Sequence, residues 1–207
     1  MTDKILTFDE DKHEYRLNGM VIPSVTQVLS IFDSYAGVPA NIMAEASQRG
    51  TAVHKTTELH DQGILDYGEL SDSLIPYLMA WQKFLDDKKP EIVTIEGRTF
   101  HPTMGYAGTY DREMVLDKYL SCVDIKSCFM MMPTTGPQTW AYAEAINAHR
   151  KNKTDHIKRR YGLQLKNDGT YNLVPYKDNV NDQNDFMAAL RLKFWQIKHH
   201  EKVKDKT

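Results

Sequence analysis

Three side chains in the middle of the chain have the types and spacing to do chemistry together: Asp111, Asp124 and Lys126. Residues Ala107 to Val115 and Leu120 to Lys126 read as two strands. If a turn centred on Asp117-Lys118 joins them as an antiparallel hairpin, Asp111 and Asp124 stand opposite each other on one face, with Cβ atoms about 5 Å apart. Two carboxylates at that range repel and need compensation. A divalent cation supplies it, because hard cations take carboxylate oxygens. Lys126 lies two residues past Asp124 and so on the same face, where its ammonium could meet an anionic group such as a phosphate. Val123 and Ile125 point the other way, into the core. A bare Asp-x-Lys is equally at home on a solvated sheet face, so the hairpin alone leaves both readings open.

The elements that must position these residues follow from the surrounding pattern. Ile5 to Ile22 reads as a hairpin with Asn18-Gly19 as a turn. Ser24 then caps a short helix carrying Val25, Val28 and Leu29. Asn41 to Gln62 predicts a second helix. Leu74 to Lys88 predicts a third, with Ile75, Leu78, Met79, Trp81 and Leu85 as its apolar stripe and Pro90 ending it. From Glu91 the period changes to that of a strand. After the central hairpin, a helix is expected from Pro137 to about Arg150, with Gly136 as its cap. Tyr161 to Leu165 and Tyr171 to Pro175 form a last hairpin around Asn167-Asp168-Gly169, and Phe186 to Lys198 a closing helix. The order predicts a mixed α/β fold with a largely antiparallel central meander.

Bulk properties narrow the class. The 207 residues are 41% hydrophobic and 26% charged, which fits one packed domain rather than a disordered chain. The net charge of −2 gives no global attraction to a polyanion, so any nucleic-acid footprint must come from local basic clusters. Cys122 and Cys128 are too few for a disulfide framework or a four-cysteine metal site. With no signal-peptide pattern and no apolar run long enough to span a bilayer, a soluble cytoplasmic protein is expected. No glycine-rich nucleotide loop of the Gly-x-x-x-x-Gly-Lys-Ser/Thr type occurs.

Further segments extend the central trio. Arg49-Gly50-Thr51-Ala52-Val53-His54, Gly108-Thr109-Tyr110-Asp111, Asp124-Ile125-Lys126 and Gln138-Thr139-Trp140-Ala141-Tyr142 follow one another along the chain, after Ile22-Pro23-Ser24-Val25-Thr26. In this order they resemble the PD-(D/E)XK nuclease superfamily, nearest its RecB-type and phage exonuclease branch. That branch reads Arg-Gly…His, Gly-x-x-Asp, Asp-x-Lys and Gln-x-x-x-Tyr. Tyr110 departs from the pattern, standing where a proline precedes the first aspartate. The resemblance implies a restriction-endonuclease-like α/β core, a mixed, largely antiparallel sheet flanked by helices, with an N-terminal hairpin and helices. It implies one domain over 1–207: a hairpin and helical part at 1–90, the sheet and motif helix at 91–180, and a closing helix with a basic tail at 181–207.

The resemblance also implies roles. Asp111, Asp124, His54 and the main-chain carbonyl of Ile125 would hold Mg2+ or Mn2+, imidazole being the better match for Mn2+. Lys126 would orient or deprotonate the attacking water. Gln138 and Tyr142, one helical turn apart, would support the site and contact DNA, and Glu96 would stand in an outer position. Without the motifs, His54 reads as a surface histidine, Gln138 and Tyr142 as a polar stripe with a packed tyrosine, and Glu58 as solvated. Arg49, and the cluster Arg150, Lys151, Lys153, Lys158, Arg159 and Arg160 after the motif helix, are candidate phosphate contacts, against the alternative of a solvated helix surface and loop. The implied activity is a DNA exonuclease of phage recombination or end processing, with a single-strand annealing protein as partner and a ring-shaped oligomer as a possible assembly. An endonuclease of the same fold and an inactive DNA-binding module are the alternatives. Some relatives hold an iron–sulfur cluster on four cysteines, which two cysteines exclude.

Overall fold

The alternation of the central segments becomes a five-stranded sheet in the computed structural model, which describes residues 4–32 and 38–204. The last residues of the basic tail, 205–207, lie outside the described residues. The strands are β4 (Glu91–Phe100), β5 (Ala107–Leu116), β6 (Tyr119–Lys126), β7 (Arg159–Leu165) and β8 (Tyr171–Pro175), in that spatial order, preceded by β1 (Leu6–Asp9), β2 (Glu14–Leu17) and β3 (Met20–Ile22) in a separate sheet. All central neighbours are antiparallel except β6 and β7. The crossover between those two is α4 (Thr135–Asn147), as a parallel connection requires.

The helices cover both faces of the sheet. Against one face pack α1 (Val25–Leu29), α4 and α5 (Asn179–Lys204), through Val28, Trp140, Ala145 and Phe186. Against the other pack α2 (Ala40–Asp61) and α3 (Ile75–Lys88), whose Val53, Leu78, Trp81 and Phe84 meet Met114, Val123, Ile125 and Leu163. The parallel pair is thus covered on both sides, so that even Ser121, Asp124, Arg160 and Gln164 of its strands are buried. No described helix is long and apolar enough to cross a membrane.

Several boundaries differ from the sequence expectation. The N-terminal hairpin is a three-stranded meander, because the polar stretch after Asp9 is itself a turn, with His13 at φ 50°. The motif helix starts at Thr135, so Gly136 and Pro137 lie inside its first turn. The first intrahelical bond there runs from Gln138 N to Thr134 O, so the N–H that Pro137 lacks would have had no partner. That helix ends at Asn147 rather than Arg150, and the closing helix begins at Asn179, a polar first turn without apolar periodicity. Ser24 does cap α1, in a capping box with Gln27. Pro23 O accepts from Ala107 N, tying this segment to the start of β5.

The β5–β6 turn is left-handed at both central residues, Asp117 at φ 47° and Lys118 at φ 70°. That is the conformation a tight hairpin demands, and one a lysine adopts at a cost of about 1–2 kcal/mol. Lys118→Gly removes the cost and adds about 0.5–1 kcal/mol of chain freedom to the unfolded state. A net gain of roughly 0.5–1 kcal/mol is expected as a higher urea midpoint; a lower midpoint would count against this turn.

Candidate active site

The sheet opens where the candidate residues stand. The β5–β6 ladder pairs Leu116 with Tyr119 and runs to Arg112 opposite Val123, the register expected from the sequence, and stops there. Beyond that point β5 continues with β4 and β6 with β7. Asp111 and Asp124 are the next residues in register, but they do not form a closed cross-strand pair. Instead, side chains fill the gap between the diverging strands. Asp111 Oδ2 accepts from Ile125 N at 2.5 Å, and His54 Nε2, reaching in from α2, donates to Ile125 O at 2.9 Å. The main-chain groups of Ile125, left without β5 partners, are thereby satisfied.

The imidazole connects the site. His54 Nδ1 lies 3.3 Å from Asp111 Oδ1 and 3.8 Å from Glu96 Oε1. Both ring nitrogens face acceptors, which only the doubly protonated ring can serve. Burial opposes that charge, but the Asp111 carboxylate and its hydrogen bond, with Glu96, outweigh it and raise the His54 pKa to about 10. Burial likewise pushes Asp111 up, yet His54 and Lys126 hold it below the ordinary carboxylate range.

Glu96 sits higher in the site than the sequence suggested. His54, Glu96 and Asp111 each offer a ligand atom, all within 4.8 Å of one another. Asp124 stands outside this trio. Glu96 reaches it from a left-handed backbone, φ 49°, inside a strand, a strained placement that surrounding contacts must enforce. Gly97 beside it leaves space for the ring of Tyr110, since a Cβ there would lie 2.2 Å from Tyr110 Cζ.

Arg112 is the main enforcing contact. Its guanidinium is fully buried and donates to Asp61 Oδ2 (2.8 Å), Glu96 Oε1 (3.2 Å), Thr57 Oγ1 (3.2 Å) and the carbonyl of Asp111 (2.7 Å). One side chain thus ties the end of α2, the strained residue of β4 and Asp111 of β5. Trp81 Nε1 donates to the other Asp61 oxygen at 2.8 Å.

Asp124 and Lys126 form the second half of the site. Lys126 Nζ lies 2.7 Å from Asp124 Oδ2, off the angle of a hydrogen bond, so that buried oxygen has a charge neighbour but no hydrogen-bond donor. Burial raises Asp124 to about 6 against the pull of Lys126, with Asp111 adding to the rise. Burial works to lower Lys126, but Asp124 and Asp111 more than reverse it, so the ammonium keeps its proton. With both carboxylates free of a cation, Lys126 is a cation and a donor.

Gln138 and Tyr142 project from α4 into the same cleft, which encloses about 610 Å³ and includes Tyr15, His54, Glu96, Gly108, Asp111, Asp124 and Lys126 in its lining. Burial, then Asp124 and Asp111, hold the Tyr142 hydroxyl protonated, well above its usual range. Gly108 of the Gly-x-x-Asp segment has a steric reason here: a Cβ would lie 2.7 Å from Tyr142 Cε1.

The basic residues do not gather at the cleft. Arg160 is buried and donates to Asn179, Asp182, Gly136 O and Thr139, stapling α5 to α4. Arg150 grips both oxygens of Glu113 at 2.7 and 2.8 Å. Arg159 lies over the Tyr119 ring at 3.9 Å, near the β5–β6 turn. It pairs with Ser121, three residues before Asp124 and so roughly 10 Å away along the strand. Lys151 and Lys153 are exposed and do not line the cleft. Arg150 and Arg160, expected as phosphate contacts, are engaged in ion pairs with Glu113 and Asp182. Arg49, also outside the cleft lining, has a buried Nε without a partner. Sequence reasoning missed Arg112, and the signal was present: an arginine flanked by strand residues directly after Asp111.

No protein-family model matches the chain, and no curated protein matches it. Among solved structures it is similar to the alkaline exonuclease LHK-Exo of Laribacter hongkongensis, at 15% identity and TM-score 0.47 over 88% of this chain and 93% of that one. The complex of LHK-Exo with dAMP matches at 16% identity and TM-score 0.40, over 89% of this chain and 94% of that one. At that level of similarity the neighbours carry no function across, and the site itself must.

Proposed function

We propose that this chain is a divalent-cation-dependent deoxyribonuclease that hydrolyses phosphodiester bonds from a DNA end. The observation that supports it most is the opened ladder, where His54, Glu96 and Asp111 converge beside Asp124 and Lys126 in one cleft. The donor set suits a hard or borderline cation: carboxylates, one imidazole and a main-chain carbonyl. The buried Asp124 Oδ2, without a hydrogen-bond donor, is the kind of atom such an ion satisfies. His54, Glu96, Asp111, Asp124 and Ile125 O would hold it. When bound, Mg2+ or Mn2+ would activate water and screen the charge of the phosphodiester.

The residues of the chain do the remainder. Lys126 holds a full positive charge where negative charge gathers on the phosphoryl oxygens, as water adds to phosphorus and the ester P–O bond breaks. Tyr142 stays protonated and offers a hydroxyl donor from the cleft wall, with Gln138 beside it on α4. Arg112 holds Glu96 and Asp111 in place, so the ligand atoms need little rearrangement. The preference for an end, and a setting in phage recombination or end processing beside a single-strand annealing protein, come from the resemblance of the motif set. The test compares end-labelled linear duplex, single-stranded DNA and a closed circle with Mg2+, Mn2+ or chelator. Loss of the linear substrates alone, in either metal but not in chelator, is expected. Equal cutting of closed circles points to an endonuclease, and no cutting of any substrate overturns the reading.

Cation binding should be strongly pH-dependent. A ligating histidine is neutral, and His54 carries a proton up to about pH 10. The imidazolium stabilises the cation-free fold fully below pH 6.5, and that contribution is lost as pH rises toward 10. Cation affinity runs the opposite way, increasing by up to about tenfold per pH unit across the same window. Calorimetric titration with Mn2+ in buffers of different ionisation enthalpy should show about one proton released per ion bound near pH 7. No release would remove His54 from the ligand set.

A further inference from the structure

The loop 127–134, between Lys126 and α4, carries apolar surface that the fold does not use. Phe129 is 102% exposed and Met130 68%. The loop is nonetheless anchored. Gln164 pairs with Lys126 across the parallel ladder, and its Nε2 donates to Cys128 O at 2.9 Å and Phe129 O at 2.8 Å. Met131 packs over Gly162, the partner of Asp124 in the same ladder. The main chain of Phe129 is therefore fixed near Lys126, three residues on, while its ring stands in solvent. Phe129, Met130 and Met132 (38% exposed) make a run of bare apolar side chains on this fixed base, a few residues from Lys126 in the chain, and such a patch marks a contact surface. The net charge of −2 gives no global attraction to a polyanion, and Arg150 and Arg160 are committed to ion pairs. A base face is the apolar part of a nucleic acid, and aromatic stacking on it is tolerant of sequence. Met130 beside the ring adds a soft, adaptable contact.

We propose that Phe129 stacks on an unpaired nucleobase of the strand whose phosphate lies at Lys126. The site then takes single-stranded DNA, or the frayed end of a duplex, in preference to an intact helix, whose base faces are covered. This rests on the nuclease reading, and the test separates the two. Binding of a short single strand, and of the same strand with one abasic position stepped along it, is measured by fluorescence anisotropy in the Lys126→Ala background with Mg2+. The chain with Lys126 intact is assayed for cleavage alongside. One abasic position should weaken binding roughly 5- to 150-fold. Phe129→Ala should bind the intact strand that much more weakly and no longer distinguish it from the abasic one, while Phe129→Trp should restore the distinction. Absence of cleavage by the intact chain counts against the nuclease reading itself. Cleavage together with equal discrimination by Phe129→Ala and its parent overturns the stacking role alone. So does a Phe129→Ala variant that binds both strands normally but changes its sedimentation mass, which would assign the ring to a contact between copies of the chain.

Discussion

Lys126→Ala should lower the single-turnover rate of DNA cleavage by at least about 10²-fold, the scale set by loss of one preorganised donor at a developing charge. The ammonium is held beside Asp124 at 2.7 Å, and the two aspartates keep it protonated in the cation-free site, so the proposed role loses a positive charge at the phosphoryl group. Mn2+ should still bind, because Lys126 supplies no ligand atom. Its removal also leaves Asp111 and Asp124 with one fewer cationic neighbour, which favours the incoming ion. The expected signature is therefore a fallen rate with unchanged or tighter Mn2+ binding. Cleavage within about threefold of the parent would take Lys126 out of the chemistry.

Arg112→Ala is expected to have the largest effect on stability. Asp61 is as buried as Arg112 itself, and the arginine is also the donor to Glu96 and Thr57. Removing one partner of such a network costs about 3–5 kcal/mol, because the remaining charge stays buried and uncompensated. Against a total of about 5–15 kcal/mol for a typical domain, that is a large share, read as a fall in the urea midpoint. Arg112→Lys separates folding from function. It keeps the charge but not the planar fork that serves Asp61 and Glu96 together. A smaller loss of stability is expected with a distinct loss of Mn2+ affinity, as Glu96 is no longer held in its left-handed conformation. If Arg112→Lys binds Mn2+ as the parent does, Arg112 positions nothing at the site.

The contrast between Lys126 and Arg112 shows where the sequence was legible. The register of the central hairpin could be read because it depends on neighbours: the turn at Asp117-Lys118 sets which residues face each other. The alternation that put Val123 and Ile125 in the core is equally local. The opening of the ladder at Asp111 is not, since it needs His54 from α2 and the strained Glu96 from β4 to fill the gap. The partners of Arg112, Arg150 and Arg160 lie on other elements, with Asp61 51 residues from Arg112 and Glu113 37 from Arg150. Charged residues whose counter-ions lie that far along the chain look like solvated surface in a linear reading. Arg150 and Arg160 read in sequence as candidate phosphate contacts or a solvated loop, with no sign of their ion pairs, and Arg112 gives no sign of its own partners. Helix starts at Thr135 and Asn179 were missed for a related reason, because a polar or proline-bearing first turn carries no apolar period.

Under the proposed reading, one cation site, built on Asp111, drives cleavage. The direct measurement is Mn2+ occupancy and cutting of end-labelled linear DNA, followed in the same samples for the parent and for Asp111→Asn. The substitution keeps an acceptor for Ile125 N and removes the charge. In the parent, cleavage should rise in step with bound Mn2+ and vanish in excess chelator, while Asp111→Asn should lose both together. Undiminished cutting in chelator, or an Asp111→Asn variant that cuts like the parent, would rule out a cation site on Asp111.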